Sequence, residues 1–207
     1  AEILDNAMDE AVAGHATRIE VELLADFTVI VRDNGRGIPI DPHPKFPGKS
    51  ALEVILCTLH AGGKFSGDAY QTSGGLHGVG ASVVNALSEW LELRIWRDGK
   101  EHFARFENGD TVEHLRVVGD APGETGTEVR FLASTREDGK GGTFLNLDYH
   151  VKTLENRLRE LAFLNSGVRI ILEDDRPAEP IRIELFYEGG VREFVKYLDR
   201  SKSAVTS

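Results

Sequence analysis

The chain has 207 residues, 41% hydrophobic and 28% charged, a balance that supports one sizeable globular domain. With 34 acidic against 24 basic side chains, a formal net charge of −10 and no concentrated basic stripe, this segment is a poor surface for gripping nucleic-acid phosphates. No run of about 18 apolar residues and no charged-then-apolar leader occurs, so neither a membrane span nor a signal peptide is supported, and the single Cys57 excludes an intrachain disulfide framework and fits a reducing cytoplasm.

The opening "AEILDNAMDEA" has helical spacing. At 100° per residue Ile3, Leu4, Ala7, Met8, Ala11 and Val12 share one side, while Glu2, Asn6 and Asp9 form a stripe on the other. "ATRIEVELLADFTVIVRDNGRGIP" then alternates, with Ile19, Val21 and Leu23 facing one way and Phe27, Val29 and Val31 following beyond a turn at Ala25–Asp26. That predicts a β-hairpin ending in a glycine-rich loop. "DPHPKFPG" is irregular, and Ser50 is placed to cap the helix "ALEVILCTLH", in which Cys57 reads as packing.

"AGGKFSGDAYQTSGGLHGVG" has seven glycines in twenty residues, and loops of that length in compact domains are usually functional. A helix over "ASVVNALSEW" follows. "LELRIWRDGKEHFARFENGDTVEHLRVVG" reads as successive strands with turns at Asp98–Gly99 and Asn108–Gly109, and "TGTEVRFLAS" as another strand. "HVKTLENRLRELAFLNSG" predicts a helix with Val151, Leu154, Leu158 and Leu161 inward, and "VRIILED" and "IRIELFYEGG" predict late strands. Without regular βαβ alternation, the expected fold is a two-layer α/β sandwich, one mixed and mainly antiparallel sheet with helices on one face. Residues 1–200 read as a single domain and 201–207 as a frayed end.

Two nucleotide motifs fail on inspection. "HPKFPGKS" ends like a phosphate loop, but His43 stands at its first glycine position, and Pro44 and Pro47 remove or misdirect the donors a cradle needs. "GVGASV" lacks a preceding strand and has Val83 at its third glycine. What remains is "SGGLHGVGASVVNAL", where Gly74, Gly75, Gly78 and Gly80 free the backbone in front of a helix N-terminus, a natural anion site. In "RDNGRGIP", Asp33 ends a strand, where a carboxylate accepts a hydrogen bond from an exocyclic amine. Taken singly, each segment reads better as an ordinary turn or a helix cap.

Glu2-x-x-x-Asn6, Asp33-x-Gly35-x-Gly37, Gly75-x-x-Gly78-x-Gly80 and Thr125-Gly126-Thr127 occur in that order. The set resembles the ATP-binding (GHKL, or Bergerat) domain shared by type II topoisomerases, Hsp chaperones, mismatch-repair proteins and sensor histidine kinases. "SGGLHGVGASVVNALS", "LHAGGKF", "DNGRGIP", "RELAFLNSGV" and "YEGGVREFVKYL" are similar to the B subunits of bacterial DNA gyrase and topoisomerase IV. "FPGKSALEVIL" and "FENGDTVEHLRVVG" incline the resemblance to the topoisomerase IV protein over its gyrase counterpart.

The resemblance implies ATP hydrolysis with Mg²⁺. Glu2 would be the general base, in a partly desolvated setting, and Asn6 the Mg²⁺ ligand. Asp33 would read the adenine amino group with Thr127 and a bound water, and Asp9 would face the adenine side. Leu76, His77, Gly78, Val79 and Gly80 would surround the phosphates, Lys64 would reach them from a lid, and Tyr70 would line the nucleotide. Arg36 would pair with Glu10 beside Gly37, and Arg36, Pro39 and Arg97 would form the rim where gyrase-class inhibitors bind. In the intact enzyme the implied partners are the cleavage (A-type) protein of topoisomerase IV or of gyrase, DNA held by other domains, and a second copy recruited on ATP binding. The swapped N-terminal arm and the following transducer domain are absent from these residues, so the expectation is a monomeric, weakly hydrolysing fragment. A histidine-kinase-type domain and a non-catalytic nucleotide sensor are the rival readings.

Overall fold

Helix α1 (Glu2–Val12) forms where the apolar spacing requires it and buries Ile3, Leu4, Ala7, Met8 and Ala11. Val12, expected on that stripe, is 70% exposed, because Gly14 at φ +79° ends the helix there and turns the chain away. In this computed structural model, residues 2–57, 78–135, 144 and 146–203 are described, with backbone alone at 78, 79 and 200–203.

Strands β1 (Arg18–Leu23) and β2 (Val29–Asp33) make the expected antiparallel hairpin, in register from Ile19 opposite Asp33 to Leu23 opposite Val29. Phe27 does not join the inward row. It sits in the turn at φ +66°, 46% exposed, where Asp26 Oδ1 accepts the Thr28 N–H at 3.0 Å and delays the strand until Val29. Helix α2 (Ala51–Cys57) opens with a reciprocal capping box: the Glu53 N–H donates to Ser50 Oγ at 3.2 Å, and Glu53 Oε2 accepts the Ser50 N–H at 2.9 Å. The rest of the helix expected there, at 58–60, lies outside the described residues.

Helix α3 (Gly78–Ala86) is shorter than its predicted extent. It stops before "SEW" because Ser88 Oγ donates back to the Val84 carbonyl at 2.6 Å and Ser88 already begins β3 (Ser88–Arg97). Strands β4 (Lys100–Glu107) and β5 (Asp110–Asp120) follow through two tight turns. Asp98 and Gly99 have φ of 54° and 73°, and Asn108 and Gly109 have φ of 50° and 90°, the left-handed pairs whose twist suits a two-residue hairpin loop. Strand β6 (Gly126–Ala133), helix α4 (Val151–Leu164), strands β7 (Arg169–Asp174) and β8 (Ile181–Leu185) and helix α5 (Gly190–Ser203) complete the chain. On α4 the buried residues are Leu158, Ala162 and Phe163, with Val151, Leu154 and Leu161 only partly covered. Phe163 is drawn in by stacking on Tyr187 at 3.7 Å. Helix α5 runs through 201–203, which were expected to fray.

The sheet has the order β5-β4-β3-β6-β2-β1-β7-β8 and is antiparallel throughout except for the parallel β1–β7 pair. The inward residues of the strands and the apolar faces of α1, α2 and α4 form one core, as expected for a two-layer sandwich. One register row crosses it: His102, Ile95, Thr127, Asp33, Ile19, Ile170 and Leu185 lie opposite one another on successive strands. Asp33 and Thr127 are thus adjacent polar side chains, both buried, flanked by two fully buried isoleucines.

Candidate active site

The register places Asp33 at the C-terminal end of β2 beside Thr127 on β6. Asp33 is 7% exposed, and Oδ1 accepts the Gly35 N–H at 2.8 Å. Burial pushes its carboxyl up to about 6; the Gly35 and Thr127 amides pull the other way, and the nearby Glu10 charge pushes it higher. Thr127 Oγ1 accepts the Ile38 N–H at 3.1 Å, which leaves the hydroxyl proton to donate elsewhere. Together they offer an acceptor and a donor side by side on an apolar floor.

The loop after β2 is held against this floor by three glycines. A Cβ on Gly35 would lie 2.7 Å from Glu10 Oε2 and 2.9 Å from Asp33 Oδ1. Gly37, at φ +78°, sits where a Cβ would meet the Trp96 carbonyl at 2.7 Å, and Gly126, at φ +139°, backs onto the Asp33 carbonyl. Glu10 closes the loop from α1: Oε1 accepts from Arg36 Nη2 at 2.7 Å, while Oε2 accepts from Arg36 Nε at 3.2 Å and from its backbone N–H at 3.0 Å. The Arg36 guanidinium holds the Glu10 carboxyl below its usual range. Arg97 Nη1 donates to the Gly37 carbonyl at 2.7 Å, which sets Arg97 beside the Arg36–Gly37 backbone, and Pro39 is exposed two residues on.

Helix α3 begins at Gly78, and α1 packs on it with Glu2 against Gly80. Glu2, in the first turn of α1, is exposed rather than in the partly desolvated setting expected of it. Asn6 follows one turn later, half-buried like Asp9. Gly78 and Val79 are placed as backbone, the part that would hold phosphate, whereas Lys64, Tyr70, Leu76 and His77 lie outside the described residues. No three His, Cys, Asp or Glu side chains converge among the described residues, so a cation held wholly by such ligands is not on offer there.

Sequence reasoning missed the buried carboxylate of Glu53, although its signal, Ser50-x-x-Glu53, was in plain view. Besides the cap, Glu53 Oε1 accepts the Leu115 N–H at 3.1 Å and lies 2.8 Å from His114 Nδ1, which fastens α2 to β5. Burial opposes its charge, but the hydrogen bonds from Ser50, His114 and Leu115 outweigh that and hold the carboxyl below its usual range.

Residues 1–145 match the family described as histidine kinase-, DNA gyrase B-, and HSP90-like ATPase. The B subunit of DNA gyrase from Caulobacter vibrioides is 56% identical over 212 residues, covering 98% of this chain and 26% of that protein. Its namesake in Rickettsia prowazekii is 52% identical over 204 residues, covering 99% and 24%. A crystal structure of the 43K ATPase domain of Thermus thermophilus gyrase B in complex with an aminocoumarin superposes with a TM-score of 0.79 at 44% identity, covering 95% of this chain and 47% of that one. The chain therefore spans about a quarter of the length of the curated relatives it matches. These relatives are gyrase proteins, so the inclination to topoisomerase IV finds no support among them. The two stretches behind it are a capped helix and the β4–β5 hairpin, whose residues answer to capping and turn chemistry and so carry little about which paralogue they serve.

Proposed function

The chain belongs to the family of histidine kinase-, DNA gyrase B- and HSP90-like ATPases, and on that premise we propose that it is the ATPase domain of a bacterial type II topoisomerase whose parent protein is a DNA gyrase B protein. The observation that carries the reading is the buried Asp33–Thr127 pair on an apolar sheet floor, with α1 reaching the loop beside it through Glu10 at Gly35 and reaching α3 through Glu2 at Gly80. Asp33 accepts a hydrogen bond from the adenine amino group, and Thr127 donates to a neighbouring ring nitrogen or to a bound water. The amides of Gly78, Val79 and Gly80, with Leu76 and His77 before them, meet the phosphates at the positive end of α3. Lys64 adds a charge to them, and Tyr70 lines the nucleotide.

In hydrolysis a water oxygen bonds to the terminal phosphorus, the bond from that phosphorus to the ADP oxygen breaks, and the water proton passes to the Glu2 carboxylate. Asn6, on the same side of α1 as Glu2, would hold a Mg²⁺ ion through its neutral amide oxygen. That ion would offset phosphate charge. Asp9 orders water on the adenine side, and Arg36, Pro39 and Arg97 form the rim for aminocoumarin-class inhibitors. The gyrase A protein, DNA bound elsewhere in the enzyme, a second copy gathered by ATP and a cytoplasmic setting complete the proposal; among the described residues no helix is long and apolar enough to cross a membrane.

The test is ATP hydrolysis by the full-length protein with and without Glu2→Ala. Turnover should fall by about 100-fold or more while a non-hydrolysable ATP analogue binds within about threefold of wild type. Unchanged turnover would remove Glu2 as the base, whereas nucleotide binding without hydrolysis by the wild-type protein would leave a nucleotide sensor. With its gyrase A partner the protein should supercoil DNA; decatenation and relaxation alone would return the reading to topoisomerase IV.

A further inference from the structure

We infer that Gly80 is a positioning residue for Glu2, the space left by its missing side chain being the seat on which the Glu2 carboxylate rests; this builds on the reading of Glu2 as the base. A Cβ on Gly80 would fall inside contact of Glu2 Oε2 and lie 2.8 Å from both Cδ and Cβ of Glu2. Swinging the carboxylate aside relieves only part of that overlap. Because the near end of the Glu2 side chain is also struck, α1 and α3 must separate, and α1 carries Asn6 and Glu10 with it.

The usual reasons for glycine are missing at this position. Gly14, Gly48, Gly99 and Gly123 all have positive φ and open space around the absent Cβ, so conformation explains them. Gly80 lies within α3 without a positive φ, where glycine costs about 1 kcal/mol of helix stability against alanine. Presenting an N–H to a phosphate needs no glycine either, since every residue but proline has one. Close approach of Glu2 is the requirement that the structure shows.

The experiment is a double-mutant cycle in the full-length protein with Gly80→Ala, Glu2→Ala and both, read by kcat, by binding of a non-hydrolysable ATP analogue and by thermal melting. Gly80→Ala alone should lower kcat by about 100-fold, since misplacing a reacting group by about 1 Å costs that much, and should weaken analogue binding by less than about tenfold. It should also lower the melting temperature. With Glu2→Ala beneath it, Gly80→Ala should cost no further turnover and should lower the melting temperature by less than it does alone, because the contacts with Oε2 and Cδ are gone and only that with Cβ remains. A tenfold or greater loss of analogue binding in both backgrounds would overturn the inference, because glycine would then serve phosphate approach. So would an unchanged kcat for Gly80→Ala, or the same melting shift in both backgrounds. If Glu2→Ala itself retains turnover, the assignment of the base fails, and the difference between the two melting shifts still decides whether the seat exists.

Discussion

Replacing Asp33 with Asn tests the electrostatics of the site directly. The folded chain raises this carboxyl from 3.8 to about 6, so it holds its proton more tightly than the unfolded chain does. Stability from this group is therefore greatest below the unfolded value, declines as pH rises through the interval, and is level above about 6. At about 1.4 kcal/mol per pH unit, the ionised carboxylate costs the fold about 3 kcal/mol at neutral pH. Asn keeps an oxygen for the Gly35 N–H but cannot ionise. Urea unfolding at steps between pH 4 and pH 8 should show the variant gaining on wild type by about 3 kcal/mol across the window and no more beyond it. Affinity for an ATP analogue should move oppositely, weakening in wild type as pH falls through about 6 and staying low and flat in the variant. A stability gap that does not grow with pH, or that grows with the other sign, would refute the account of Asp33 as a carboxylate kept ionised at the fold's expense.

Two further predictions concern the scaffold. Glu53→Ala removes an acceptor for four hydrogen bonds, from the Ser50 N–H and Oγ, the Leu115 N–H and His114, and should cost about 2–4 kcal/mol in urea unfolding at pH 7. Since those bonds hold the carboxyl below 4.5, that penalty should shrink as pH falls beneath this value. Gly37→Ala and Gly48→Ala both place alanine at φ near +80°, but only at Gly37 is the Cβ site filled, with the Trp96 carbonyl at 2.7 Å. Gly48→Ala should cost about 1 kcal/mol and Gly37→Ala at least about 2 kcal/mol more, together with a loss of ATP-analogue affinity; equal losses would show that conformation alone governs both.

The parts of the fold readable from sequence are those whose cause is local. Asp98–Gly99 and Asn108–Gly109 announce their turns because two left-handed residues in succession are tolerated by few other pairs. The stripe of Ile3, Leu4, Ala7, Met8 and Ala11 announces α1 for an equally local reason. Phe27 misled because alternation counts apolar residues without knowing where a turn will close, and Ser88 misled because its back-bond to Val84 stops a helix that composition would have continued. The site divides in the same way. The resemblance brought Glu10 to Arg36 and Thr127 to Asp33, as the structure does, but the second pairing depends on strands far apart in sequence, and no spacing rule by itself yields it. The tight fit of Gly35, Gly37 and Gly126 is likewise a matter of which backbone passes behind each, which "DNGRGIP" and "TGT" cannot disclose.

The one parallel pairing in the sheet also sets a timetable for synthesis. Strand β1 lies between β2, its immediate successor, and β7 at Arg169–Asp174, while β2 waits on its other side for β6 at Gly126–Ala133. A ribosome delivering this chain has therefore released α1, β1 and β2 long before their outer neighbours exist. Until β7 has cleared the exit tunnel, β1 keeps an open edge, and Ile19 and Val21 lack half their cover. Asp33 is thus made well before Thr127 and before the strand that covers β1, so the nascent chain depends over that interval on whatever shields bare strand edges in the cell.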